Sequence, residues 1–179
     1  YCIMLGNRLV AKMVDDSSFA YLLSTPNSRV RIIVTQGVFA LGSVLLMFVA
    51  VFGTGVLISE LVFPGLLDIR GFLWLNVTTM LVNMVVIMIS FFFSCLFNDT
   101  KGSLSFGSGV PILFLLMSMM GGVSERTEIV KKLSIFGFYD PVEVAQAGRY
   151  VAVNSIYLVM IAVLFVGGVL VFRRKQLPI

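Results

Sequence analysis

Four long stretches without a charged residue dominate the pattern of apolar and polar positions along this chain. They contain 28, 28, 23 and 23 residues and are Ile32–Ser59, Gly71–Asn98, Gly102–Ser124 and Tyr150–Phe172. A helix needs about 20 apolar residues to cross a bilayer, so each stretch is long enough. Barrel strands would alternate, whereas these stretches are continuously apolar. The pattern predicts an all-α membrane protein, residues 1–179 forming a single transmembrane domain with spans over 34–59, 72–97, 104–123 and 151–172.

Residues 15–29 are the most polar stretch between hydrophobic segments. Its candidate helix-starting residues, whose side-chain oxygens can accept hydrogen bonds from free backbone N–H groups, are Asp15, Asp16, Ser17 and Ser18. Phe19, Leu22 and Leu23 then share one helical face, and Tyr21 lies on another. Pro26 ends the helix, because the residue before a proline is pushed out of helical geometry. The short amphipathic helix so predicted either anchors a loop at the membrane surface or docks into a groove of a soluble partner.

Composition supports the membrane assignment and removes several kinds of chemistry. Hydrophobic residues make up 59% of the chain and charged residues 12%, against about 45–50% and about 25% in soluble domains. The net charge of +4 is explained by basic residues that flank membrane spans, so no nucleic-acid partner is expected. Histidine, the commonest general base and metal ligand, is absent from the sequence. Cys2 and Cys95 have apolar surroundings and indicate neither a disulfide framework nor a metal site.

The distribution of basic residues predicts the orientation in the membrane. Eight lie on one side: Arg8, Lys12, Arg29, Arg31, Lys101, Arg173, Arg174 and Lys175. Five lie on the other: Arg70, Arg126, Lys131, Lys132 and Arg149. Because cytoplasmic loops carry the excess of Lys and Arg, the 15–29 segment and the C-terminus are expected in the cytoplasm.

Two further segments have predicted structures of their own. Residues 1–8 are interpreted as the end of a truncated membrane span, since Tyr1–Gly6 is apolar but far too short to cross a bilayer. The outer loop 124–149 is predicted to hold two short helices. One begins near Ser124 and ends at Gly137, and the other follows Asp140 and ends near Gly148. The alternative is an ordered loop without helix.

Polar residues also lie inside the second span, at Asn76, Thr79 and Asn83. An unpaired polar group in hydrocarbon is costly, so these side chains need partners. Either they line a polar translocation path or they make hydrogen bonds between helices, and the second reading is favoured for Asn83. Glycine pairs such as Gly107 and Gly109 would let helices approach closely, although glycine is common in membrane helices generally.

The four spans contain no charged residue that could bind a driving ion or move protons. Gly107-Ser108-Gly109 lacks the Gly-Lys-Ser/Thr ending of a phosphate loop, so any ATP used by the system must bind elsewhere. The membrane portion is therefore predicted to have no catalytic activity and no energy source of its own.

Three motifs now suggest a family. Phe19-Ala20-Tyr21-Leu22-Leu23-Ser24-Thr25-Pro26-Asn27-Ser28-Arg29 resembles the "LLSTP-x-SR" signature of the six-helix permease subunits of type-2 ATP-binding cassette exporters. Phe172-Arg173-Arg174-Lys175-Gln176-Leu177-Pro178 resembles the closing "F-R/K-R/K-R-D-L-P" of that family, and Phe136–Pro141 resembles its "FxxxDP" stretch. The chain departs from the family at Ser17, where glycine is usual, and at Gln176, where aspartate is common.

The resemblance implies a six-helix permease of which this chain holds four full helices and the end of a fifth. It implies a cytoplasmic coupling helix whose docking residues for an ATPase subunit are Ser18, Phe19, Tyr21, Leu22, Leu23 and Arg29. A second permease subunit would complete the exporter in the plasma membrane, and ATP and Mg would bind only to the partner ATPase. The substrate would be a drug, a bacteriocin or bacitracin-type peptide, or a lipid-like molecule. The alternative is an integral membrane scaffold or assembly protein that is not coupled to an ATPase.

Overall fold

A computed structural model describes residues 1–15, 28–97, 99–121, 134–138 and 150–174, and helices make up 92% of them. The α-helices are α1 (Cys2–Asp15), α2 (Arg29–Val62), α3 (Ile69–Leu96), α4 (Thr100–Gly121) and α5 (Tyr150–Arg174), and a short 3-10 helix spans Ile135–Phe138. Four of them, α2 to α5, are long and apolar enough to cross a membrane. The prediction of an all-α chain with four such helices is confirmed, and no strand occurs among these residues.

Helices α2, α3 and α4 each begin next to a residue whose side chain caps them, which is why they start before the predicted spans. Ser28 caps α2, since its Oγ accepts a hydrogen bond from the Arg31 N–H at 3.3 Å. Asp68 caps α3 through the Arg70 N–H at 3.1 Å, and Asp99 caps α4 through the Gly102 N–H at 2.6 Å. The predicted spans stop short of charged residues, but helical hydrogen bonding continues to the cap.

Two predicted segments differ from the structure. The segment predicted over residues 1–8 belongs to a helix that continues to Asp15. Within the predicted outer loop, residues 134–138 form a bend and a 3-10 helix rather than the end of an α-helix at Gly137. Ser134 accounts for this turn: its Oγ accepts from the Phe136 N–H at 3.1 Å and its carbonyl accepts from the Gly137 N–H at 2.9 Å. The remainder of the two predicted short helices, and the 16–27 segment, lie outside the described residues.

Helix α3 is the most buried of the four long helices. In its most apolar window 61% of the residues are buried, against 11% for α2, 17% for α4 and 22% for α5. Lipid is as apolar as leucine, so burial among helices comes from packing and hydrogen bonds rather than from avoidance of water. Helix α3 therefore makes specific contacts with other helices along both of its halves.

The chain divides into two compact units. The first unit combines the described residues of Tyr1–Gly42, Met84–Leu113 and Val159–Ile179. Its core includes Phe91, which is fully buried and stacks on Phe165 with ring centroids 6.2 Å apart.

The second unit combines the described residues of Ser43–Asn83 and Phe114–Leu158. Trp74 of α3 stacks on Tyr150 of α5, and Phe52 of α2 stacks on Phe72 of α3. The fully buried Tyr157 of α5 donates its hydroxyl hydrogen to the Ile135 carbonyl at 2.8 Å. This bond ties the 3-10 helix to α5.

Candidate functional site

Four buried polar side chains lie at the contacts of α1, α3 and α4 in the first unit. They are Asn7, Ser90, Ser94 and Ser103, and none is more than 3% exposed. We call this set the polar junction. Every buried side-chain nitrogen and oxygen among the described residues has a hydrogen-bond partner. Because a buried polar group in a membrane protein is costly unless paired, these four positions specify how the three helices meet.

Ser94 ties α3 to the backbone of α1. Its Oγ donates to the Asn7 carbonyl at 3.1 Å and accepts from the Ala11 N–H at 2.7 Å. Asn7 and Ala11 are four residues apart, so these are the two backbone groups that an α-helix pairs with each other. The Ser94 hydroxyl of α3 therefore makes hydrogen bonds to both backbone groups of one carbonyl–N–H pair in α1.

Asn7 also connects α1 to α4. The Ser103 hydroxyl donates to Asn7 Oδ1, and both side chains are buried. Asn7 thus uses its carbonyl toward α3 and its side chain toward α4. Three helices are joined through one residue of α1.

Ser90 completes the junction by satisfying a carbonyl that proline leaves without its usual partner. Pro111 lies inside α4 and has no N–H, so the carbonyl four residues earlier, that of Gly107, has no N–H to accept from at that position. Ser90 Oγ donates to the Gly107 carbonyl at 2.8 Å. A Cβ on Gly107 would lie 3.2 Å from the Ser90 Cα, so glycine permits this close approach.

Gly6 of α1 packs against the same serine. A Cβ built on Gly6 would lie 2.7 Å from the Ser90 Cβ and 2.9 Å from the Ile87 carbonyl oxygen. The second contact is with backbone, which cannot rotate away. The α1–α3 contact is therefore closed to any residue larger than glycine at position 6.

The polar junction lies next to the predicted docking segment along the chain. Helix α1 ends at Asp15 and α2 begins at Arg29, within the first unit. The predicted docking residues between these helices, Ser18, Phe19, Tyr21, Leu22 and Leu23, lie outside the described residues. Arg29 is the first residue of α2. Residues 16–27 follow α1 directly along the chain, and α1 is hydrogen-bonded to α3 and α4.

The polar residues predicted in the second span all lie on α3, in the second unit. Thr79 Oγ1 donates to the Leu75 carbonyl at 2.8 Å, and Asn83 Nδ2 donates to the Thr79 carbonyl at 2.9 Å. Asn76 borders a cavity between α2 and α3. Asn76 takes no part in the two hydrogen bonds made by Thr79 and Asn83.

Sequence reasoning missed the hydrogen bond between Thr78 and Asn154 as well as the polar junction. Thr78 Oγ1 of α3 donates to Asn154 Oδ1 of α5 at 2.9 Å, and the bond is buried. Two signals were present in the sequence. Ser90 and Ser94 are four residues apart and share a helical face, and Pro111 marks the carbonyl of Gly107 as one that needs another donor.

No protein-family model, curated protein or solved structure matches this chain. The family resemblance therefore depends on its motifs. Among the described residues, no group of three or more His, Cys, Asp or Glu side chains could hold a metal ion.

Replacing Asn7 with leucine should weaken the polar junction. The Ser103 hydroxyl would lose its acceptor in a buried site, at a cost of about 1–2 kcal/mol in the free energy of unfolding. Unfolding of the purified protein in mixed detergent micelles measures this cost. The matched control is Ser105→Ala, because Ser105 is exposed and donates to the Lys101 carbonyl of its own helix. Equal unfolding free energies for the two variants would contradict a stabilising role for Asn7.

Proposed function

We propose that this chain is the membrane-spanning permease subunit of an ATP-driven exporter, powered by a separate ATP-binding cassette ATPase. The observation that carries the proposal is the signature-like sequence over Phe19–Arg29, which follows α1 in the chain and ends at the first residue of α2. The four apolar helices and the similarity of the C-terminal sequence to the family ending support it. A family resemblance indicates a function class, whereas the substrate must be argued separately.

The proposed mechanism is mechanical. The ATPase subunit binds ATP and Mg, and its movement displaces residues 16–27 at the cytoplasmic surface. Helix α1 follows, because it is continuous with that segment. The polar junction then passes the displacement to α3 and α4, since Asn7 bonds to Ser94 and Ser103. The proposal includes a second permease subunit, a plasma-membrane location, a cytoplasmic C-terminus and a drug, peptide or lipid-like substrate.

Loss of the docking face should release the ATPase. We expect Phe19→Asp or Leu22→Asp to weaken association at least about thirtyfold, because removing an apolar anchor from a pocket costs about 2 kcal/mol or more. The measurement is co-purification from native membranes, with the bound protein identified by mass spectrometry through its Gly-Lys-Ser/Thr phosphate loop.

Ser24→Asp is the matched control for this experiment. It adds the same charge to the same segment, but a helix would place Ser24 opposite the face of Phe19 and Leu22. Association should survive in this variant. If the unmodified protein co-purifies with no such ATPase, the exporter proposal fails and a membrane scaffold or assembly role takes its place.

A further inference from the structure

Helices α2 and α5 are in close contact in the first unit. A Cβ built on Gly37 of α2 would overlap the ring of Phe165 of α5, so the two helices meet at this level. Phe91 of α3 lies on one side of the pair, since its ring would be 3.3 Å from a Cβ on Gly37 and 3.2 Å from one on Gly168 of α5. The opposite side of the α2–α5 pair therefore faces away from α3.

Arg31 and Arg173 lie at the same end of this helix pair. The first part of α2 and the last part of α5 belong to the first unit, whereas their remaining parts belong to the second, so the two helices run antiparallel. Arg31 precedes Gly37 by six residues and Arg173 follows Phe165 by eight. At a rise of about 1.5 Å per residue, the two arginines lie about 9 and about 12 Å beyond the Gly37–Phe165 contact, nearly at one level.

Helical geometry also places both arginines on the side of the pair away from α3. Successive residues are about 100° apart around a helix, so Arg31 is about 120° from Gly37 and Arg173 about 80° from Phe165. Because the helices are antiparallel, turns of the same sign along each chain lead to the same side of the pair. Gly168, which contacts Phe91, lies about 60° from Phe165 in the other sense. Both arginine side chains are exposed, as this position requires.

Apolar side chains continue along the same side, toward the middle of the membrane. Val38 of α2 and Val166 of α5 are each about 100° from the contact residues, and Leu170 of α5 is about 140° away. These three side chains are 58%, 52% and 50% exposed. Neither guanidinium group has an ion pair or a hydrogen bond within the part of the chain that the structure describes. Two positive charges thus lie at the end of an apolar surface, which is complementary to an amphiphile with an anionic head.

We propose that this side of the α2–α5 pair binds an anionic phospholipid, with the phosphate between Arg31 and Arg173 and an acyl chain over Val38, Val166 and Leu170. Packed helices have axes about 8–10 Å apart, so two arginines at one level can bind the same phosphate. Guanidinium groups bind phosphate oxygens in pairs, and basic pockets between membrane helices bind lipid headgroups. The site requires no ATPase and stands independently of the exporter proposal.

The first test measures binding of three probes to the unmodified full chain in a neutral detergent, by native mass spectrometry. The probes are dioleoyl phosphatidylglycerol, dioleoyl phosphatidylcholine and glycerol phosphate, which has the anionic head without the chains. We expect phosphatidylglycerol to bind at least about fivefold more tightly than phosphatidylcholine, and glycerol phosphate at equal concentration to leave it bound. Equal binding of the two lipids would overturn the proposal. Displacement by glycerol phosphate would also overturn it, because the site would then belong to a soluble phosphate compound.

The second test uses variants of the two arginines. Arg31→Gln and Arg173→Gln should each weaken phosphatidylglycerol binding about fivefold, the effect of one basic residue near a membrane surface, and the double variant should lose the preference over phosphatidylcholine. Lys101→Gln is the matched control, because Lys101 is another exposed basic residue of the first unit but lies at the start of α4. An equal loss in Lys101→Gln, or a preference that survives in the double variant, would mean diffuse attraction to the positive protein rather than a site between α2 and α5.

Discussion

Replacing Gly6 with valine is expected to reduce the free energy of unfolding by about 3 kcal/mol, the upper part of the range for overpacking a core. The valine Cβ would lie 2.9 Å from the Ile87 carbonyl oxygen and 2.7 Å from the Ser90 Cβ. Relief requires α1 to move away from α3. That movement would break the bonds of Ser94 to Asn7 and Ala11. Under the proposed function, transport should fall even where the variant still reaches the membrane and still binds its ATPase.

Gly109→Val provides the comparison. Gly109 also lies in a helix of the first unit, but a Cβ there would meet no atom within 4 Å. Valine has a higher helix propensity than glycine, so this variant should be neutral or slightly stabilised. Unfolding in mixed micelles, measured for both variants, distinguishes the close α1–α3 contact from a general cost of valine. Similar losses for the two would refute the role given to Gly6.

Truncating Tyr157 to alanine is also expected to have a large effect and should reduce the free energy of unfolding by about 3–5 kcal/mol. The ring is fully buried in the second unit, and its removal leaves a cavity in which the lining atoms lose their dispersion contacts. The variant Tyr157→Phe retains the ring but loses the hydrogen bond to the Ile135 carbonyl. Its cost should be about 1 kcal/mol.

Hydrogen exchange separates the two contributions of Tyr157. In Tyr157→Phe the amide of Gly137, which bonds to the Ser134 carbonyl, should exchange faster, because the 3-10 helix loses its tie to α5. Leu158→Ala is the neighbouring control: Leu158 is 55% exposed and its contacts can be replaced by lipid. A Tyr157→Ala variant as stable as Leu158→Ala would show that this ring packs no better than a lipid-facing side chain.

The helices were predictable because the signal for a membrane span is strong and local. A run of 23 to 28 uncharged, mostly apolar residues has few alternatives. The ends were less accurate for a physical reason. Charge limits how far a helix stays in hydrocarbon, but a cap limits how far it stays a helix. Ser28 and Asp99 therefore place the starts of α2 and α4 at Arg29 and Thr100, several residues before the predicted spans.

The contacts between helices were less predictable, because they depend on rotation and register that one sequence does not encode locally. Thr78 and Asn154 are 76 residues apart, and the sequence around each residue gives no indication that the other is its hydrogen-bond partner. The two glycines considered together also differ: Gly107 meets Ser90, whereas the side of Gly109 is open. The shared helical face of Ser90 and Ser94 and the Pro111–Gly107 relation could have been read from spacing, but spacing could not have identified Ser90 as the donor to the Gly107 carbonyl.

The proline in α4 has a mechanical consequence. A helix that lacks one rung of its own ladder is softest at that turn and would ordinarily be a hinge. Here the missing rung is supplied in trans by the Ser90 hydroxyl of α3. If α4 bent at this turn while α3 stayed in place, the Gly107 carbonyl would lose its hydrogen bond to Ser90 and be left unpaired in an apolar environment. The stiffness of α4 at this turn therefore depends on α3, and we expect the two helices to move together there.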